Sequence, residues 1–142
     1  MLSAVLDTNV LASGALTSSS IPRQLLNEWR KGYFKLYISN FILEELKEVL
    51  SKPFFKRIIK AHDIDELIDL LESEAIFVQL KINVKGIATH QEDDSILATA
   101  LNARVDYLVT GDSGLQDLKQ FKSIKIVSPR SFSEIIQQVQ EV

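Results

Sequence analysis

The chain contains no cysteine, and His62 and His90 are its only histidines. Disulfides and thiolate metal sites are thereby excluded, and a zinc site of the usual nitrogen and sulfur type is not expected. Any metal should be a hard cation held by oxygen. Proline and glycine are sparse, 3 and 5 in 142 residues, so the composition offers no linker, low-complexity tract or disordered segment. No uncharged apolar run approaches the ~18 residues needed to span a bilayer. A surplus of basic charge is also missing: 16 Lys and Arg stand against 19 Asp and Glu, for a net charge of -3 and a pI near 5.4. The chain as a whole does not attract a polyanion, and any nucleic-acid binding must use a local patch. The first 16 residues have the small apolar character of a secretory leader, but no Lys or Arg precedes Arg23 and Asp7 interrupts the stretch. A cytoplasmic protein is expected.

What is present is an ordinary globular composition. With 46% hydrophobic residues, residues 1–142 are expected to form one domain with a buried core. Short apolar runs alternate with longer helical patterns. LSAVL, KLYIS, IFVQL, DYLVT and IKIVS read as strands. Helices are expected near Pro22 to Lys31, over Asn40 to Leu50, in segments through Glu74, from Gln91 to Arg104, and from Ser131 to Gln140. Strands separated by helix-length crossovers imply a parallel sheet, and AVL and YLV have the continuous apolar character of strands buried on both sides. The expected fold class is α/β, a three-layer α/β/α sandwich around a central parallel sheet.

Four acids stand out. In open parallel sheets ligands gather at the carboxyl ends of strands, and Asp7 and Asp112 are each the first acid after a buried apolar strand. Either could instead simply open a loop, since Asp accepts turn and cap geometry readily. On a helical wheel Ile42, Leu43, Leu46, Val49 and Leu50 form one stripe; Glu44 and Glu48 point away from it, while Glu45 lies on its margin. A solvated helix flank is the competing reading for Glu45. THQE fits a capping box between Thr89 and Glu92, which puts Asp93 and Asp94 in the first turns of the next helix, where acids are favoured by the helix dipole in any case. Asp94 then lies on the margin of the face made by Ile96, Leu97, Ala100 and Ala103.

Taken in order and spacing, AVLDTNVL, the Glu of EEL, DDSILATA and DYLVTGD resemble the PIN-domain ribonucleases, a family that includes VapC-like toxins of toxin-antitoxin pairs. The resemblance runs from Leu2 to about Phe132. It implies a PIN-like fold and a carboxylate cluster of Asp7, Glu45, Asp94 and Asp112 binding Mg²⁺ or Mn²⁺, with Asn9 and Thr110 orienting the acids and a bound water. It further implies RNA cleavage leaving a 5′ phosphate, a homodimer, and an antitoxin partner that presents an Arg to the carboxylates. Two departures from the pattern matter. Many relatives carry a further Asp where this chain has Gly114, and Asp-Pro where it has His90-Gln91. The first leaves the number of metal ions open, with Asp93 and Asp117 as the nearby substitutes.

Oxygen ligands suit this chemistry, because Mg²⁺ takes six oxygens near ~2.1 Å and keeps several as water. Carboxylates within ~4 to 6 Å of one another raise each other's pKa, so such a cluster wants a cation. For gripping RNA, Lys52, Lys56 and Lys60 recur every four residues beside Arg57, suggesting a cationic stripe on one helix; solvated lysines are the plain alternative. Phe54 and Phe55 are expected in the core. Arg23, Arg30 and Lys31 form a weaker second patch. Two other functions are compatible with the residues. One is a PIN-fold RNA- or protein-binding module without turnover. The other is a phosphatase of the haloacid dehalogenase type using Asp7 as nucleophile, although that chemistry wants an Asp where Asn9 stands.

Overall fold

The structure is a computed structural model that describes residues 1–87 and 91–140. Its first strand, β1 (Ser3–Leu6), leads without a loop into α1 (Thr8–Leu16), followed by α2 (Ile21–Arg30) and β2 (Lys35–Ile38). Three helices come next: α3 (Asn40–Leu50), α4 (Pro53–Ile58) and α5 (Ala61–Glu74). Then come β3 (Ile76–Phe77), α6 (Gln91–Ala103), β4 (Tyr107–Val109), α7 (Ser113–Leu118), β5 (Gln120–Phe121), β6 (Ile124–Val127) and α8 (Pro129–Gln140).

The strands form one six-stranded sheet in the order β3-β2-β1-β4-β6-β5. All neighbours are parallel except β5, which runs antiparallel to β6 at the edge. β1 is central because Ala4, Val5 and Leu6 have no side-chain polar atom to keep in water, and all three are buried. β1 pairs with β2 on one side and β4 on the other, so successive connections leave it in opposite directions, the switch-point arrangement of open α/β sheets. At the amino end of this pair the Ser3 amide and hydroxyl donate to Oδ2 of Asp106 at 3.0 and 3.2 Å, and the Asp106 amide donates back to the Ser3 hydroxyl at 3.0 Å. Those bonds fix the register at which Leu6 faces Val109 at the other end.

Helices flank the sheet. α6 lies against β1, β2 and β4, and α8 brings Phe132 edge-on to Phe34 and obliquely against Tyr107, with ring centroids 5.1 and 5.5 Å apart. Ser20 and Ser39 cap α2 and α3 by accepting the amides of Arg23 and Ile42 at 3.2 and 3.4 Å. Gly14 sets the approach of α1 to α2: a Cβ there would stand 2.6 Å from Leu26 Cδ1 and 3.2 Å from the Pro22 carbonyl.

Several expectations need correction. α1 was not foreseen, because the turn residues that would announce a break between strand and helix are absent; Asp7 alone makes the junction. α7 and the antiparallel edge β5 were not foreseen either, being six and two residues long. IFVQL is strand only at Ile76–Phe77. The Val78 amide still donates to Ile38 at 2.9 Å, after which the chain leaves the sheet and Asn102 takes the amides of Lys81 and Ile82. The capping box over Thr89 and the Glu92 side chain lies outside the described residues.

Candidate active site

Because β1 and β4 are parallel neighbours, the residues that follow them emerge at the same sheet edge. Asp7 extends the ladder by one bond, its amide donating to Val109 at 2.9 Å. Its side chain then stands at the start of α1, 5% exposed, without capping that helix. The Thr110 hydroxyl, fully buried, donates to Asp7 Oδ2 at 2.7 Å. The same hydroxyl oxygen accepts the amide of Asp112 at 3.0 Å, so one hydroxyl links the two acids that follow β1 and β4. Thr110 is itself held on both sides: its amide donates to Val127 at 3.0 Å, and its carbonyl accepts Gln116 Nε2 at 2.7 Å.

Burial pushes the Asp7 carboxyl above its ordinary value. The Thr110 hydroxyl and the amides of Thr8 and Asn9 pull the other way, and the neighbouring Glu45 carboxylate adds to the rise. Glu45 is half-buried on α3, while Glu44 and Glu48 are exposed, as the wheel predicts. It lines a shallow depression with Asn40, Phe41 and Glu48. Asp94 is buried more deeply than a helix margin suggests, 8% exposed, and its Oδ2 accepts the Gly86 amide at 3.0 Å. Asp112 caps α7, its Oδ2 accepting the Leu115 amide at 2.8 Å, as the cap reading expects. Asn9 is exposed in the first turn of α1.

Of the predicted acids, then, Asp7 and Glu45 interact through space, and Asp7 and Asp112 are joined through Thr110. Among the described residues no three His, Asp or Glu side chains come together closely enough to cage an ion. A hard cation does not require a cage, since Mg²⁺ is commonly bound through one or two carboxylates with water completing the shell. Two observations fit such an ion. The donors are all oxygen, and the buried Thr8 hydroxyl beside Asp7 has no hydrogen-bond partner among the described residues. Thr8 was not singled out in the sequence, although it stands within DTN; Gln116 and Asn102 were missed because no local pattern marks them.

The basic candidates are rearranged. Lys52, Lys56 and Lys60 do not share a helix: α4 is six residues long, Lys52 precedes it, and Lys60 precedes α5. The extended backbone at Ile59 (φ -105°, ψ 132°) breaks the periodicity. All three lysines and Arg57 remain exposed along one short stretch. Phe55 packs against the core, but Phe54 is 53% exposed, contrary to expectation, because α4 is too short to bury more than one flank. Arg23 is committed structurally, its guanidinium donating to the carbonyls of Gly14 and Ala15 at the end of α1. With Arg30, Asn27 and Glu66 it lines a groove of about 230 Å³ between α1, α2 and α5, to which none of Asp7, Glu45, Asp94 and Asp112 contributes.

No match was found among curated protein sequences. Among solved structures, a chain from the crystal structure of VapBC2 from Rickettsia felis bound to a DNA fragment from their promoter superposes with a TM-score of 0.62. The two are 17% identical, and the match covers 89% of this chain and 98% of that one. This is a likeness of fold. A family model for the PIN domain matches residues 3–114, a span that contains Asp7, Glu45, Asp94 and Asp112. The chain therefore belongs to the PIN domain family, whose members are generally nucleases using divalent metal ions.

Proposed function

We propose that this protein is a metal-dependent endoribonuclease that cleaves phosphodiester bonds of single-stranded RNA and serves as the toxin of a toxin-antitoxin pair. The observation that carries the reading is Asp7: an acid buried at the carboxyl end of the central strand, destabilised as an anion, and beside a second carboxylate. A charge left in that position costs folding free energy unless a cation compensates it.

Asp7 and Glu45 would hold Mg²⁺ or Mn²⁺ directly, and Asp94 and Asp112 would be further ligands, directly or through water. When bound, the ion would lower the pKa of a bound water so that hydroxide is available as nucleophile near neutral pH, and would neutralise phosphate charge. Thr110 fixes one Asp7 oxygen and thereby the plane of the carboxylate. Asn9, exposed in the first turn of α1, would orient the attacking water. No side-chain nucleophile is needed. Lys52, Lys56, Arg57 and Lys60 lie on one exposed segment and supply the local positive charge that the acidic chain otherwise lacks.

Likeness of fold to a chain of VapBC2 supports the toxin role and an antitoxin partner. A cytoplasmic homodimer belongs to the same reading, and no helix among the described residues is long and apolar enough to cross a membrane. The test is incubation of the protein with a pool of single-stranded RNAs and Mn²⁺ or Mg²⁺, beside Asp7→Asn, Asp94→Asn and EDTA controls. Cleavage in the wild type alone supports the reading. Metal uptake without cleavage would select a binding module that has lost turnover, and hydrolysis of small phosphate monoesters instead would select the phosphatase.

A further inference from the structure

The described stretch of chain that follows β3, residues 78–87, does not wander over the surface. It is tied to α6 at two places. At one end Asn102 Oδ1 accepts the amides of Lys81 and Ile82, both at 2.9 Å, and Asn102 Nδ2 donates to the Ile82 carbonyl at 2.8 Å and to Ala98 on its own helix at 2.7 Å. Both donors and both acceptor positions of this one amide are used, which leaves it a single rotamer. At the other end the Gly86 amide donates to Asp94 Oδ2 at 3.0 Å. Between the ties Val84 packs against the core.

Asn102 and Asp94 lie on the same helix, eight residues and therefore about 12 Å apart along its axis. Segment 81–86 is thus a strap laid along two turns of α6. Gly86 sits in the left-handed region, φ +69°, where an L side chain is strained. That turn aims its amide at the carboxylate, and an amide so aimed restricts the orientation of the acid that accepts it.

We infer that Asn102 is a positioning residue for the active site: by anchoring the strap it holds the Gly86 amide on Asp94 and so sets the carboxylate in its working orientation. The inference rests on the metal reading above in giving Asp94 a role at the ion. Residues behind metal ligands commonly change affinity by 10- to 100-fold when removed. Nothing in the local pattern around LNAR would mark Asn102, because the strap groups it holds are backbone atoms 20 and 21 residues earlier.

Two measurements test it. In the metal-free protein, Asn102→Ala should speed hydrogen exchange at Gly86 about tenfold or more. Asn102→Asp, which keeps the acceptor for two amides, should fall between wild type and Ala. Unchanged Gly86 protection in Asn102→Ala overturns the strap whatever the metal does. In Mn²⁺ titrations by calorimetry, Asn102→Ala should weaken binding about tenfold in the wild-type background and leave it unchanged in Asp94→Asn, since the effect passes through that carboxylate. An equal loss in both backgrounds overturns the inference, as does wild-type affinity in Asn102→Ala. A wild-type protein that takes up no Mn²⁺ overturns the metal reading and with it any role for Asn102 at an ion, while the exchange result still decides the strap.

Discussion

The hydroxyl of Thr110 donates to Oδ2 of Asp7 at 2.7 Å across 103 residues of chain, and it ties the end of β1 to the end of β4. Thr110→Val preserves shape but removes the tie. Asp7 is then left without that donor and the Asp112 amide without its acceptor, which should cost about 1–3 kcal/mol for buried groups left unpaired. Thr110→Ser should be nearly neutral. Urea unfolding of the two variants provides the comparison; equal stability would mean that the hydroxyl contributes nothing.

Asp7 itself should oppose folding in the absence of metal. Burial raises its folded pKa above 3.8, so over the window above 3.8 the native state keeps a proton that the unfolded state has released. Its contribution is therefore most favourable below that window and declines as pH rises through it. Asp7→Asn, measured in EDTA at pH 7.5, should melt a few degrees higher than wild type, and the difference should shrink toward pH 4.

Divalent metal should reverse that order. At a free concentration of a hundred times Kd, Mn²⁺ stabilises a protein by about 2.7 kcal/mol through mass action. The wild type should show this gain and Asp7→Asn little of it. Thermal melts with and without EDTA suffice, and equal gains in the two proteins would remove Asp7 from the metal site.

Glu28 presents the same physics away from the site. It is 7% exposed on α2, its Oε2 has no partner among the described residues, and its Oε1 accepts a long bond, 3.3 Å, from Gln24. Burial raises its pKa, with Gln24 and Lys31 opposing the rise, so its penalty also grows as pH rises above the ordinary value. Glu28→Met should stabilise the protein by on the order of 1 kcal/mol at pH 7.5. A drop in stability instead would show that a water or a partner group satisfies Oε2.

If the basic segment grips RNA, its signature is ionic. Lys56→Glu or Arg57→Glu should flatten the dependence of log affinity on log salt by about 0.7 for each phosphate of a single strand that the segment ceases to neutralise. An unchanged slope in filter binding would place the RNA elsewhere, with the face bearing Arg30 as the next to probe.

How much of this was legible depends on the range over which each feature is determined. Asp7 and Asp112 could be placed because each ends an apolar run whose strand character is local, and Glu45 because a wheel over Ile42 to Leu50 separates it from Glu44 and Glu48. The lysine stripe misled because periodicity cannot see the break at Ile59. α1 was missed because its start is a single acid with no turn residue before it. The burial of Asp94 and the hold of Asn102 on the strap are set by chain arriving from another element. No pattern within α6 contains them.

The central position of β1 has a consequence for synthesis. Asp7 follows β1, the earliest of the described strands, yet the neighbouring β4 comes about a hundred residues later and β6, which shelters β4, ends at Val127. Until that stretch has left the ribosome, Asp7 has neither the Thr110 hydroxyl nor its buried setting. A nascent chain stalled before Tyr107 should therefore be inert toward RNA, a point ribosome-bound truncations can check. The setting that buries Asp7 is thus assembled late, only once the residues up to Val127 are in place.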